Sequence, residues 1–284
     1  MQTPDPAVQE ITLVAWLRRH PLLGYFATAY GLSWGGTLIV LSTTGFDLVR
    51  LRPIDTGCIF GLMLLGPSAA GLAGTALLDG RRGLRELRSS LMRWRVGWPW
   101  YAIALLTAPV LLLGVLIPLG TVDAAFAPRF QWPLLAIGLV TGSCEEIGWT
   151  GFATPRLLVR QRLLHAGVSL GLVWAMWHLL VDFRQNAHAM GAVWLGEFAV
   201  LYLASLTAYR VLMTWVFAQT RSLLLAVLMH ASYTGWLLAV FPAASARQGL
   251  VWQAAFATLL WIAVAVVNAC ALRSEAFRAG NGMK

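Results

Sequence analysis

The chain has 284 residues, of which 58% are hydrophobic and only 12% are charged, and its formal net charge is +9. Soluble globular domains contain about 25% charged and about 45–50% apolar residues, so this composition excludes a soluble globular protein. Its apolar runs are long enough to cross a bilayer, which takes roughly 17–25 residues per helix. The sequence therefore predicts an all-α, multi-pass integral membrane protein.

Apolar runs separated by polar breaks predict about eight membrane-spanning helices in one integral domain. Their approximate ranges are 21–43, 57–78, 97–119, 132–154, 164–181, 190–215, 222–241 and 250–271. This division gives a cytoplasmic N-terminal segment at 1–20, a transmembrane domain at 21–272 and a cytoplasmic tail at 273–284. The N-terminal segment carries charges before the first long apolar run and has no small-residue cleavage site, so we expect no cleavable signal.

Arginines distinguish the two sides of the predicted bundle. The richer side holds both chain ends, alternate loops and one dense cluster made of Arg81, Arg82, Arg85, Arg88, Arg93 and Arg95. By the positive-inside rule this side is cytoplasmic, which predicts cytoplasmic termini and a plasma-membrane location. The dense cluster is predicted to form a short interfacial helix on anionic lipid. Because the arginines follow topology, we expect membrane lipids and no nucleic acid as partners.

Two adjacent acids, Glu145 and Glu146, lie inside the fourth predicted span. A carboxylate in hydrocarbon costs about 2.5 kcal/mol or more, so the pair needs a hydrated cavity, a cation, a metal or proton chemistry. Neighbouring helical residues point about 100° apart, so the two acids should face different groups. Gly142, Gly148 and Gly151 flank them and would allow close helix packing. The alternative is that the acids only hydrogen-bond helices together.

Polar residues on later spans are candidate partners for these acids. His178 and His230 each lie in an apolar run and offer acid–base groups or metal ligands. Either histidine alone could equally be a hydrogen-bonded packing residue. Arg210, in the sixth span, either reaches the interface by snorkelling or pairs with an acid. Three tryptophans are candidates for the cavity wall: Trp149, Trp174 and Trp177.

Several other membrane-protease chemistries are excluded by their missing motifs. The chain contains no HExxH zinc motif and no GxSxG nucleophile elbow. An intramembrane aspartyl dyad is also excluded, because every aspartate is predicted to lie in a loop or at the edge of a span. These are Asp5, Asp47, Asp55, Asp79, Asp123 and Asp182.

Three ordered motifs resemble the CAAX protease and bacteriocin-processing family, also called the Abi family of intramembrane proteases. The first family motif, a Glu-Glu pair followed by three residues and Arg, is here Glu145-Glu146-Ile-Gly-Trp-Thr150. The second, an aromatic residue four positions before His, is Trp174-Ala-Met-Trp-His178. The third is His230-Ala-Ser-Tyr-Thr234, and the resemblance covers about residues 130–240.

The resemblance implies a CAAX prenyl endopeptidase-like enzyme that hydrolyses a peptide bond of a membrane-associated peptide or lipidated protein. By the same resemblance, Glu145 oriented with His178 activates water, Glu146 supports the site, and His230 stabilises the oxyanion or binds a metal. Glu145, His178 and His230 would suit a divalent ion such as Zn²⁺, with water as the fourth ligand. The same groups can activate water without a metal. We therefore predict that they converge on one cavity.

Two motif positions depart from the family pattern. Thr150 replaces the motif arginine and removes a cation beside the acids. Thr234 replaces an asparagine that would offer an amide donor, and losing one oxyanion donor can lower the rate about 10²–10³-fold. We predict that Arg210 approaches Glu145 or Glu146 and supplies the missing cation.

Two alternatives to an active protease follow from these observations. The first is a catalytically weak or inactive binding or immunity protein on the same fold, suggested by the two departures. The second is a proton-coupled transporter that uses Glu145 and Glu146 as its relay. The sequence shows no inverted-repeat pattern to support such a transporter.

Overall fold

The computed structural model describes the backbone of residues 6–47 and 50–281, and the side chains of 13–47, 50–183 and 190–270. The described ranges are helical and contain no β-strand, which confirms the all-α class. The helices are α1 Pro6–Arg19, α2 Pro21–Tyr30, α3 Gly36–Ser42, α4 Pro53–Leu91, α5 Trp98–Val122, α6 Trp132–Thr141, α7 Glu146–Gly148, α8 Thr154–Arg160, α9 Leu163–Met190, α10 Val193–Glu197, α11 Thr207–Thr220, α12 Leu223–Ala239 and α13 Ala246–Asn281. Wider π-helical segments at Gly31–Gly35, Trp149–Ala153 and Phe198–Leu206 join α2 to α3, α7 to α8 and α10 to α11.

Within the described residues, five helical stretches are long and apolar enough to cross a membrane. They are Pro53–Leu91, Trp98–Val122, Leu163–Phe183, Val193–Thr220 and Ala246–Cys270. Helix α12 is apolar but shorter, at 17 residues. These helices confirm an integral membrane bundle. The count of eight spans and the cytoplasmic position of both termini stay predictions.

The fourth predicted span, 132–154, is not one continuous helix. Helix α6 ends at Thr141, residues 142–145 form a turn, and the chain becomes helical again at Glu146. Gly142 and Ser143 are weak helix formers, which permits the break. The prediction of an unbroken span is therefore wrong. Glu145 is the residue before the new helix and Glu146 is the first residue within it.

The described chain divides into two compact units. The first comprises the chain as far as Trp94, together with Ser143–Val159 and Ser222–Leu224. Inside this unit, α7 packs closely on α4, and a Cβ added at Gly71 would lie 2.7 Å from the Cα atom of Gly148. A Cβ added at Gly148 would collide with the carbonyl oxygen of Pro67. Only glycine fits there, which confirms the close packing predicted for Gly148.

A kink at Gly80 divides α4 into two parts. Gly80 has φ 61° and ψ −151°, a conformation that glycine adopts without a steric penalty. Four arginines of the predicted cluster, Arg81, Arg82, Arg85 and Arg88, therefore lie on a separate short helix at residues 81–91, whereas Arg93 and Arg95 lie beyond its end. Contact of this helix with lipid stays a prediction.

The second unit comprises Arg95–Gly142, Arg160–Arg221 and the chain from Leu225 onward. Its helices α9 and α11 approach closely because of two glycines on α9. A Cβ added at Gly167 would lie 2.7 Å from the Cα atom of Val211, and one at Gly171 would lie 2.6 Å from that of Thr207. Small residues four positions apart bring helix backbones together in this way. Trp174, three residues after Gly171 on α9, consequently contacts Arg210 of α11.

Candidate active site

The two adjacent acids lie buried in the first unit, and each accepts a hydrogen bond from a different side chain one turn along. Glu145 is 3% exposed and Glu146 is 0% exposed. The indole Nε1 of Trp149 donates to Glu145 Oε2 at 3.0 Å. The hydroxyl of Thr150 donates to Glu146 Oε2. The acids therefore face different groups, as predicted, and Thr150 supplies a neutral donor where the family motif has a cation.

Helices α2 and α4 hold the segment that carries the acids. Ser68 of α4 donates its hydroxyl hydrogen to the carbonyl oxygen of Cys144, the residue before Glu145. Tyr25 of α2 contacts Trp149 edge-on, with ring centroids 5.6 Å apart and an interplanar angle of 86°. Trp149 is fully buried, so its indole has little freedom to turn away. The donor to Glu145 is consequently held in place by its packing.

A π-helical segment follows the acids directly. It spans Trp149–Ala153, and the hydroxyl of Thr154 donates to the Trp149 carbonyl oxygen at 3.0 Å. Single π-helical turns often occur at functional sites, since they leave carbonyl groups outside the regular helical ladder. Here Thr154 satisfies one such carbonyl group. The wider turn also carries Thr150, the donor to Glu146.

In the second unit, Trp174 of α9 lies among three of the predicted site residues. The His230 ring lies 4.8 Å from the Trp174 ring, at an interplanar angle of 80°. The His178 ring lies 6.0 Å away at 56°. The guanidinium carbon of Arg210 lies 4.0 Å from the centroid of the Trp174 ring. The structure thus brings both histidines and Arg210 around one indole.

Arg210 does not extend toward the membrane interface. Its side chain is fully buried, at 0% exposure, so the snorkelling alternative is wrong. A desolvated cation over an indole face is stabilised by about 2 kcal/mol or more. This interaction offsets part of the free-energy cost of burying the guanidinium group. The predicted approach of Arg210 to Glu145 or Glu146 stays a prediction.

Three connected residues, beginning with Tyr202 beside His178, were not predicted from the sequence to belong to the site. Tyr202 lies 5.2 Å from the His178 ring at an interplanar angle of 38°, and its hydroxyl is hydrogen-bonded to Asp182. Asp182 is 7% exposed and also accepts a hydrogen bond from the indole of Trp194 at 2.6 Å. From the sequence, Asp182 was predicted only to lie at the edge of a span. Its position four residues after His178, one helical turn along the same face, was the available signal.

Thr234 is half-buried on α12. It follows His230 by four residues and therefore lies on the same helix face. Its hydroxyl oxygen lies 3.0 Å from where a Cβ on Gly142 would be, so Thr234 packs against the end of α6. This contact confirms the close approach predicted for Gly142. The role of Thr234 as an oxyanion donor stays a prediction.

The described side chains do not assemble a metal centre. No three His, Cys, Asp or Glu residues among them form a group that could hold an ion. The candidate ligands belong to different units, with Glu145 in the first and His178 and His230 in the second. The ligand set stays a prediction.

Comparison with known proteins bears on the three motifs. Residues 127–236 match a family model described as type II CAAX prenyl endopeptidase, Rce1-like. The family resemblance is confirmed. The Rce1-like segment contains all three motifs, from Glu145–Thr150 through Trp174–His178 to His230–Thr234.

A curated relative extends the same conclusion. CAAX prenyl protease 2 of Methanococcus maripaludis is 27% identical over 142 residues, which are 45% of this chain and 51% of the relative. The chain thus spans about half the length of this relative. Together with the family model, this match shows that residues 127–236 are similar to CAAX prenyl endopeptidases.

Proposed function

We propose that the protein is an intramembrane endopeptidase that hydrolyses a peptide bond in a membrane-associated peptide or lipidated protein. One observation carries the proposal. Glu145 is a buried carboxylate, oriented by the indole of Trp149 at 3.0 Å, within a segment that matches CAAX prenyl endopeptidases. A buried, oriented carboxylate is suited to take a proton from water.

The proposed reaction needs no atoms beyond substrate and water. Glu145 accepts a proton as the water oxygen attacks the carbonyl carbon of the peptide bond, and His178 orients that water. The carbonyl oxygen gains negative charge, which a hydrogen bond from His230 stabilises. The tetrahedral intermediate then collapses, the proton passes to the leaving nitrogen, and the C–N bond breaks. The products are a carboxylate and an amine.

This mechanism requires Glu145 and the two histidines to act on the same water and carbonyl group. Residues that act as one unit give strongly non-additive losses when they are replaced together. We therefore expect Glu145→Gln combined with His230→Gln to be little slower than the slower single variant. Losses in kcat/KM that multiply fully would show that the two residues act independently, contrary to the mechanism.

The substrate class is proposed from the relative's name and the membrane setting. A C-a-a-X carboxyl terminus carries its prenyl group on the cysteine, which keeps the scissile segment at the bilayer. The test uses the purified chain in vesicles with a library of membrane-anchored peptides, including farnesylated C-a-a-X peptides and their unprenylated twins. Mass spectrometry should detect cleavage of lipidated peptides by wild type. Binding without cleavage would favour a non-catalytic protein instead.

Chelator added to the same assay tests the candidate metal ligands. Loss of cleavage that Zn²⁺ restores would support a metal held by Glu145, His178 and His230. Cleavage that persists with chelator would support direct water activation by the same side chains. Both results are consistent with a protease, and they distinguish metal-dependent from metal-independent activation of water.

The hydroxyl of Thr150 provides a prediction for Glu146. Thr150→Val keeps the side-chain volume but removes the hydrogen bond to Glu146. A hydrogen bond to a charged group contributes about 1.5–3 kcal/mol, so the unfolding free energy should fall by at least about 1 kcal/mol. Thr150→Ser retains the hydroxyl and is the matched control. Equal stability of the two variants in denaturant unfolding would contradict this role for Thr150.

Arg210 provides a second prediction. Arg210→Gln removes a buried cation that lies over Trp174, and it should lower stability by about 2 kcal/mol or more. Arg160→Gln, at an exposed position, is the matched control and should change little. If Arg210 also serves as the cation for the acids, Thr150→Arg should restore part of the lost activity. An Arg210→Gln variant that equals wild type in stability and activity would exclude both functions.

A further inference from the structure

The segment at residues 81–94, which follows the Gly80 kink, presents a cationic surface unrelated to the active-site motifs. We define this surface as the exposed side chains of Arg81, Arg82, Arg85, Arg88 and Arg93. Glu86 is the only acidic residue in the segment, so five arginines against one glutamate give a formal charge of +4. Glu86 pairs with Arg82 at 2.9 Å, and the Arg82 side chain remains 85% exposed.

The segment is amphipathic, with a defined inner and outer side. Gly83 is buried, and Leu84 and Leu87 are half-buried. Leu87 packs against the π-helical segment Trp149–Ala153, since a Cβ added at Gly151 would lie 2.6 Å from its Cδ1 atom. At about 100° per residue, Arg82 and Arg85 project from the opposite side and Arg81 and Arg88 from its flanks, and all four are exposed. The cationic side chains therefore point away from the first unit.

Contacts at both ends fix the orientation of this short helix. Immediately before the Gly80 kink, Asp79 pairs with Arg156 of α8. At its end, the Ser222 hydroxyl donates to the Arg93 carbonyl oxygen at 2.7 Å. The backbone N–H of Leu223 also donates to the hydroxyl oxygen of Ser90 at 3.2 Å. The cationic surface is thus held in place by its own unit.

Apolar side chains beside the arginines indicate which anionic partner fits. Met92 and Trp94 are each 60% exposed, next to Arg93. Tryptophan favours the boundary between headgroups and acyl chains, while arginine favours the phosphate layer directly above it. A soluble polyanion would satisfy the arginines but would leave Met92 and Trp94 in water. A bilayer surface accommodates both kinds of side chain.

We propose that this cationic surface binds the phosphate headgroups of anionic phospholipids, with Met92 and Trp94 entering the adjacent apolar boundary. Guanidinium groups suit this role because they remain charged and contact phosphate oxygens in pairs. Arg82 is the exception, since Glu86 already occupies one edge of it. The proposal is independent of proteolytic activity.

Native mass spectrometry of the purified full chain tests this proposal. The protein is released from detergent in the presence of equal amounts of phosphatidylglycerol and phosphatidylcholine, and the lipids retained are counted. Each arginine near an anionic surface strengthens binding to anionic lipid by up to about fivefold. Wild type should therefore retain more phosphatidylglycerol than phosphatidylcholine. In a quadruple variant, the ratio of retained phosphatidylglycerol to phosphatidylcholine should be at least about tenfold lower than in wild type. The quadruple variant carries Arg81→Gln, Arg82→Gln, Arg85→Gln and Arg88→Gln.

A matched control separates this surface from overall charge. The control replaces four other exposed arginines by glutamine and loses the same charge: Arg129, Arg160, Arg162 and Arg247. It should keep the wild-type preference. Equal loss in both variants, or no phosphatidylglycerol preference in wild type, would overturn the proposal. If the quadruple variant does not fold, a double variant with Arg85→Gln and Arg88→Gln is compared with a control double variant that carries Arg129→Gln and Arg247→Gln.

Inorganic phosphate serves as the competitor that distinguishes a lipid surface from a site for free anions. At constant ionic strength, phosphate should not displace phosphatidylglycerol, because the acyl chains and Trp94 add an apolar contribution. Trp94→Ser should then lower phosphatidylglycerol retention without loss of any arginine. Displacement by phosphate together with an unchanged Trp94→Ser variant would show a free-anion site and overturn the proposal.

Discussion

Replacing Glu145 by glutamine is expected to lower kcat/KM for peptide cleavage by about 10²–10⁴-fold, the contribution of a positioned general base. Glutamine has nearly the same shape, and its carbonyl oxygen can still accept the hydrogen bond that Trp149 donates at 3.0 Å in wild type. The variant should therefore fold, and its loss of activity should report chemistry. Initial cleavage rates and thermal unfolding midpoints of the two proteins provide the measurement.

The control for this variant is Asp47→Asn, which removes one acid from the exposed side of the same unit. It should retain wild-type kcat/KM, since Asp47 lies at the surface and forms an ion pair with the exposed Arg50 at 3.2 Å. A Glu145→Gln variant that cleaves within about tenfold of wild type falls below the range for a general base. That result would remove Glu145 from the proposed chemistry.

Replacing Gly148 by valine is expected to destabilise the protein by about 3 kcal/mol or more, at or above the upper end for overpacked sites. Any Cβ at this position collides with the carbonyl oxygen of Pro67 and the hydroxyl of Tyr25. A backbone carbonyl cannot rotate away as a flexible side chain can, so α4 and α7 would have to separate. Glu146 lies two residues earlier and would move with α7. Denaturant unfolding and cleavage should both show the defect.

Gly114→Val on α5 is the matched control for this substitution. Gly114 is exposed, and a Cβ added there meets no atom within 4 Å. The same glycine-to-valine change should therefore be tolerated at Gly114. If Gly148→Val unfolds at the wild-type denaturant concentration, the close packing of α7 on α4 does not hold.

The helical class and the ordered motifs were accessible from the sequence because hydropathy and short spacing are local properties. The break at 142–145 was not, since the apolar run continues through it. The turn is held by the hydrogen bond from Ser68 to the carbonyl oxygen of Cys144, 76 residues along the chain. Gly142 and Ser143 can be recognised in the sequence as weak helix formers. The distant donor that stabilises the turn cannot.

The environment of the acids was predicted only in part. The sequence showed only that Thr150 replaces the cationic residue of the motif. The structure shows that its hydroxyl donates a hydrogen bond to Glu146. The bond between Trp149 and Glu145 was accessible from the sequence, because residues four apart meet on one face of a helix. Tyr202 beside His178 was not accessible, because it comes from another helix.

Arg210 shows the same limit for a single buried charge. The sequence indicates that an intramembrane arginine needs either an acid or a route to the interface. The structure closes the second route, since Arg210 is fully buried, and shows an indole beneath the guanidinium group. Aromatic faces are poor signals in a chain with 14 tryptophans, so Trp174 could not be selected as this neighbour from sequence.

Hydrolysis by a water molecule activated at Glu145 is tested most directly by oxygen-18 labelling. Wild type and Glu145→Gln are reconstituted in vesicles with the membrane-anchored peptide library in ¹⁸O-water, and the products are weighed by mass spectrometry. The wild-type product should carry one solvent oxygen in its new carboxylate, and Glu145→Gln should form it at least about 100-fold more slowly. Peptides that bind wild type but stay intact, or labelled product formed equally fast by both proteins, would contradict the mechanism.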